Sequence, residues 1–210
     1  MTEISIAPEF TSAWPNIELR IIDCAVKMDQ HNRQLWDRIE QLSAQLRESI
    51  KIEEISQQAA IASSRKAYRA LGKDPARYRL SAEALMRRVV KGNSLYQISN
   101  VVDIVNLVSA TSGFSIGGYD FDKINGPITL GVGKLGEPYQ AIGRGELNIE
   151  NLPVLRDESG AFGTPTSDSV RTSVTLNTKR FLMVFFGFGA NEKLNEAVHL
   201  AKTLLGEFAV

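Results

Sequence analysis

The sequence predicts an α+β domain, on three features of its pattern. Apolar residues alternate at period two between residues 17 and 26, and they recur at three- and four-residue steps from 29 to 92. A run of short extended segments separated by glycine then follows residue 128 and is closed by a helical stretch. Strands, then helices, then strands is the order of a domain whose helices are segregated from its sheets, not of alternating βαβ units. With 210 residues, 43% of them hydrophobic, the chain suits one domain, 1–210, that buries roughly 70% of its unfolded surface. The helical pattern marks a subdomain at about residues 29–92.

Ile4 and Ile6 alternate with polar residues before Pro8, the pattern of a short edge strand. A turn at Pro15-Asn16 leads into residues 17–26, IELRIIDCAV, which read as a central strand. Residues 29–51 place Leu35, Ile39, Leu42, Leu46 and Ile50 on one helical face, and 52–71 continue as helix until Gly72. A loop around Pro75 separates this from a further helix, with Ser81 as N-cap, Glu83 in the first turn and Gly92 at the end.

The stretch from 99 to 131 organises the remainder. Asn100 is a good N-cap, Asp103 sits at N3 near the positive end of the helix dipole, and Gly113 supplies the left-handed stop. Val101, Ile104, Val105 and Val108 form the apolar stripe, which leaves Asn106 beside Asp103 at the (i, i+3) spacing on a different face. A carboxamide on a rigid helix next to a corner at Gly117-Gly118 suits a polar ligand; the alternative is an ordinary surface residue.

Beyond Gly131, strands are expected around 128–132, 139–142 and 153–156, with a turn at Gly136-Glu137-Pro138. Residues 162–180 form a polar loop too long and too rich in hydroxyls for a simple connection, so Asp168, Arg171, Thr172 and Ser173 are expected at the mouth of a pocket. FLMVFFGF, 181–188, reads as a buried strand, and Asn191 as the cap of a last helix whose inward face carries Leu194, Ala197, Val198, Ala201 and Leu205.

The formal net charge of zero conceals an uneven distribution. Nine basic residues stand between Arg65 and Lys91 against only Asp74 and Glu83, a local charge of +7. Such a stretch is either a phosphate-binding face or the solvated side of two helices. A single cysteine, Cys24, excludes an internal disulfide framework and fits a reducing compartment. With no basic start followed by an apolar run and no apolar segment near the ~20 residues that cross a bilayer, the expectation is a cytoplasmic protein without a membrane partner. No GxGxxG, GxxxxGK[ST], HExxH or GxSxG occurs. His31 has no second ligand at metal-binding spacing, His199 lies beside the inward face of the last helix, and no metal or cofactor is expected.

Residues 98–106, ISNVVDIVN, then Gly113, then 116–124, IGGYDFDKI, resemble the editing (B3/B4) domain of the bacterial phenylalanyl-tRNA synthetase beta subunit, where an INNVVDVTNYV run is followed by a glycine and LHAFDLDKI. The preceding AEALMRRVVKG resembles that family's arginine-containing helix, and Gly136-Glu137 its GE turn. The match is specific over residues 80–140 and rests on element order alone over 17–188. The expectation is an isolated domain without synthetase catalytic modules.

The resemblance implies a three-layer domain with mixed and antiparallel β-sheets and helices. It further implies a pocket for a mischarged amino acid on the 3′ end of an aminoacylated tRNA, with hydrolysis of the ester by an ordered water and no metal or cofactor. Asn106 matches the family's pocket asparagine. Gly117 stands where the family has the histidine of LHAFD, so catalysis would rest on Asn106, the backbone amides of Gly117 and Gly118, and hydroxyls of the 166–175 loop. Asp120, Asp168, Arg171, Thr172 and Ser173 would contact the substrate, and Arg77, Arg79, Arg87, Arg88 and Lys91 the tRNA. The other expectation from the missing histidine is a non-catalytic module that binds tRNA or an amino acid.

Overall fold

The computed structural model describes residues 2–210. Its strands are β1 (Ile4–Ile6), β2 (Glu18–Ala25), β3 (Ser115–Asp120), β4 (Ile128–Val132), β5 (Gln140–Ala141), β6 (Gly145–Glu146), β7 (Pro153–Asp157), β8 (Gly160–Gly163) and β9 (Arg180–Gly187). Its α-helices are α1 (Pro8–Ala13), α2 (Arg33–Ser49), α3 (Ala59–Ala70), α4 (Ser81–Val90), α5 (Asn100–Ser112) and α6 (Leu194–Phe208).

The two faces of β9 account for the layering. It is the middle strand of an antiparallel sheet of order β2-β9-β3, and successive side chains point to opposite sides. Phe181, Met183 and Phe185 join a core with α2, α5 and α6, while Leu182, Val184 and Phe186 join a core with Leu130, Leu155 and Phe162 of the sheet β1-β4-β7-β8. A strand buried on both faces must be apolar throughout, which is why FLMVFFGF has no alternation. Helices, a three-stranded sheet and a mixed four-stranded sheet are thus stacked as three layers, with β1 parallel to β4 and the other pairs antiparallel.

Several local expectations are corrected. Residues 17–26 form an edge strand, because β2 pairs only with β9; the central position goes to β9, which brings more apolar bulk to both cores. Residues 52–71 are not one helix: a turn and a 3-10 segment at Ile55–Gln57 precede α3. Asn100 is the first residue of α5, with Ser99 at the cap position. The Asn100 side chain instead accepts from the Asp29 N–H at 3.0 Å and donates to the carbonyls of Lys27 and Phe208 at 2.9 Å, pinning the helix to the end of β2 and the end of α6. Ser81 likewise opens α4 from inside, its N–H donating to the Pro165 carbonyl at 2.8 Å. Asn191 lies in a 3-10 turn before α6 and donates to Glu18 at 2.8 Å. Pro8 starts a short helix, α1, at the position where its missing N–H costs nothing.

Gly117 and Gly118 make no corner. Both lie inside β3, opposite Val184 and Met183 of β9. The left-handed stop at Gly113, φ 80°, is where expected.

Candidate functional site

A cavity of about 450 Å³ opens on the helical side of the three-stranded sheet, between α4, α5, the edge of β3, the β5-β6 hairpin and residues 164–174. Local sequence explains each wall. The buried stripe of α5 turns Val102 and Asn106 toward the cavity, with Val105 between core and opening. On α4, Leu85 and Arg88 lie one helical turn from Ser81 and Ala84 and form the opposite side. In β3, Ile116 and Gly118 share a face by alternation and supply the floor. A Cβ on Gly118 would press on Val105 and Phe181 at 3.2 Å, so the glycine lets strand and helix approach. Gly143 and Gly145, both at positive φ, turn the hairpin so that Ile142 and Arg144 reach the rim.

The lining combines an apolar wall with a polar side of hydroxyls, two arginines, Asn106 and Asp168. Asn106 is half-buried, and its carboxamide has no hydrogen-bond partner among the described residues. Asp168 offers a carboxylate: Oδ2 accepts from the Gly118 N–H at 3.2 Å, while Oδ1 is sealed from solvent and has no partner. Burial pushes the Asp168 carboxyl up to about 7, against the lowering effects of the adjacent Tyr119 hydroxyl and the Gly118 amide. Such a group exchanges protons near neutrality. At the mouth, Arg88 stacks its guanidinium 3.9 Å from the ring centre of the exposed Tyr96 and donates to the Ser94 carbonyl at 2.6 Å.

The structure brings together Asn106, Gly118, Asp168, Ser173 and Arg88 of the residues expected from sequence. The others lie elsewhere. Gly117 faces the inter-sheet core, where the Tyr119 phenol occupies the space a side chain would need. Its amide belongs to the ladder with β9, because Gly118 points away from that strand to Asp168 and amides alternate. Neither glycine therefore offers a free N–H to an oxyanion. Asp120 caps a 3-10 turn and accepts from Thr178 at 2.8 Å. Arg171 forms a two-pronged pair with the buried Asp157 at 2.8 and 3.0 Å, which makes it a structural clasp. Thr172 is buried and absent from the lining.

The basic stretch is divided in the same way. Arg87 and Arg65 clamp the buried Glu83 at 3.0 and 2.8 Å. Lys73 donates to the carbonyls of Asn148 and Glu150 and lies over the Tyr78 ring at 3.8 Å. Arg77, Arg79 and Lys91 are exposed. Sequence reasoning missed Tyr96, Arg144 and Tyr119; the first two stand beside exposed apolar Ile98 and Ile142, a pattern with no period to reveal it. Among the described residues, no three His, Cys, Asp or Glu side chains are grouped to hold a metal ion, and no helix is long and apolar enough to cross a membrane.

Residues 63–201 match the family model of the B3/4 domain, a span that holds α4, α5, β3 and every residue of the cavity. The chain belongs to the B3/4 domain family. The resemblance read from residues 98–124 thus extends over about two thirds of this B3/4 domain. Among solved structures, an N-terminal fragment of the phenylalanyl-tRNA synthetase beta-subunit from Pyrococcus horikoshii is similar over 99% of this chain and 51% of that one, at 18% identity and a TM-score of 0.48. The B3/4 domain therefore spans about half the length of that fragment. No curated protein matches the chain.

Proposed function

We propose that this B3/4 domain is an aminoacyl-tRNA deacylase that hydrolyses the ester of a mischarged tRNA in the cavity beside α5. The observation that carries the reading is the convergence of Asn106 and Asp168 on one cavity, within a family whose resemblance implies this chemistry. An ester of this kind is already activated, so the gain lies in orientation more than in strong base catalysis. The Asn106 carboxamide has both a donor and an acceptor for a water or an ester oxygen. Asp168 supplies a second acceptor, and with a pKa of about 7 it is able to take a proton from an attacking water at neutral pH. Leu85, Val102, Ile116 and Val174 give the amino-acid side chain an apolar surface.

The tRNA would approach over the rim that carries Arg88 and Arg144, with Arg77, Arg79 and Lys91 as outlying phosphate contacts. Tyr96, exposed and backed by Arg88, suits stacking against an unpaired base. The test is deacylation of a panel of mischarged tRNAs by the wild type and by Asn106→Ala. Ester loss above the spontaneous rate that disappears in the variant supports the enzyme.

The second reading, a module that binds without hydrolysis, is favoured by the engaged Gly118 amide, which removes one oxyanion donor. Retained tRNA binding with no turnover on any ester would select it.

A further inference from the structure

Among the described residues Tyr119 has no partner for its hydroxyl although it is completely buried. Its ring is held edge-on to Phe162, 5.0 Å between centres at 89°, in the core between the two sheets. The phenol runs back along β3 and ends in a slot between two glycines: a Cβ on either Gly117 or Gly163 would overlap the hydroxyl oxygen. Asp168 accepts from the N–H of Gly118, the residue between Gly117 and Tyr119, and its Oδ1 is also buried and without a partner among the described residues. The phenol lies close enough to bear on the carboxylate's titration, yet no well-aligned hydrogen bond is formed. Two buried oxygens, one able to donate and the other to accept, are thus left without partners on either side of the Gly118 amide.

Residues 116–120 read IGGYD. Gly117 and Tyr119 lie two positions apart and on the same face of the strand. The two residues are sterically linked, because the absence of a side chain at Gly117 leaves the volume that the Tyr119 hydroxyl fills.

We propose that Tyr119 is the positioning residue of this site, its phenol passing between Gly117 and Gly163 to donate to Asp168 Oδ1 and fix that carboxylate against the cavity. The Gly118 N–H holds Oδ2 from the strand edge, so the two donors set the plane of the carboxylate and leave its outward lone pairs for a water or a ligand proton. The inference rests on the role given to Asp168 above. The other groups around Asp168 are Tyr139, which donates to the Ser167 carbonyl at 2.7 Å, Arg88 and Arg144 on the cavity rim, and Arg171, which is committed to Asp157. Tyr119 and the Gly118 amide are therefore the donors aimed at the carboxylate from within the fold.

The experiment compares wild type, Tyr119→Phe and Gly163→Ala by following the Asp168 side-chain carboxyl carbon through a pH titration by NMR, alongside the pH profile of tRNA deacylation. Tyr119→Phe keeps the ring packing and removes the donor; Gly163→Ala keeps the phenol and displaces its hydroxyl. In both, the Asp168 midpoint moves to higher pH, by about a tenfold change in proton concentration, the scale of one hydrogen bond to a charged group. The acid limb of the deacylation profile moves with it. An unmoved midpoint in folded Tyr119→Phe overturns the proposal, whatever the activity. A moved midpoint with no turnover by any form upholds the positioning role and sinks the deacylase reading instead.

Discussion

Asn106 and Asp168 reach the same cavity by different routes, and they differ in what replacement would do. Asn106 has no hydrogen-bond partner among the described residues, so Asn106→Ala is expected to remove the proposed deacylation while leaving thermal stability within about 0.5 kcal/mol of wild type, the range for a side chain outside the packed core. Single-turnover deacylation and a melting curve check both halves. Asp168 is different because its ionised form is disfavoured in the folded state. Its carboxyl is raised from 3.8 to about 7 by burial, so the folded protein binds more protons than the unfolded chain between these values. Stability from this group is then complete below about pH 4 and is lost as the pH rises through 7. Asp168→Asn places a neutral amide beside the Gly118 N–H. We expect it to raise stability at pH 8 by on the order of 2 kcal/mol, discounted for partial exposure, while abolishing turnover. Urea denaturation at pH 5 and pH 8 gives the comparison, and equal stabilities at pH 8 would contradict the assignment.

At the scale of elements, α5 is held at its start by polar side chains that periodicity alone reads as caps. Asn100 ties it to the backbone of residues 27, 29 and 208, and Asp103 accepts from the Ile98 N–H at 2.8 Å and from the Trp36 indole at 2.9 Å. The Ile98 segment forms part of the cavity wall, so the start of the helix and the mouth of the site share one anchor. Replacing Asn100 by Ala leaves the Asp29 N–H and two carbonyls without these partners. The cost should be about 3 kcal/mol, seen as a lower denaturation midpoint with an unchanged slope. Helix α4 divides its arginines by face: Arg87 is engaged by Glu83 and the Ile52 carbonyl, whereas Arg88 turns to the cavity rim. Arg87→Gln is accordingly expected to destabilise the fold, because it weakens the clamp on a buried carboxylate. Arg88→Gln is expected to weaken RNA binding at little cost in stability.

For the whole molecule, the zero net charge conceals a surface whose basic groups do different work. Of the nine basic residues between 65 and 91, Arg65, Lys73 and Arg87 are used inside the protein. Neutralising the exposed set Arg77, Arg79 and Lys91 should reduce the slope of log binding constant against log salt by roughly 0.7 to 0.9 for each phosphate that is no longer neutralised. Binding measured at several salt concentrations decides this, and a slope that does not change would make them solvated side chains only.

Local sequence is enough for the α+β class, the buried character of 181–188, the helix ending at Gly113 and the segment that carries the family resemblance. Each follows from neighbours along the chain: an apolar run, a glycine at positive φ, a period of 3.6. Asn106 is legible for the same reason, since a polar residue beside an apolar helical stripe has a defined direction. Pairing across the sheets is not legible in this way. The placement of β2 at the edge depends on which strand brings most apolar bulk to two cores, and that sum has no local signal. The fates of Gly117, Arg171 and Asp168 follow from groups that the fold carries alongside them: Tyr119 and Gly163 around one slot, Asp157 under one guanidinium, the Gly118 amide on one carboxylate. A side chain's chemistry is written in its identity, but its charge state and its availability to a ligand depend on what the folded chain places against it.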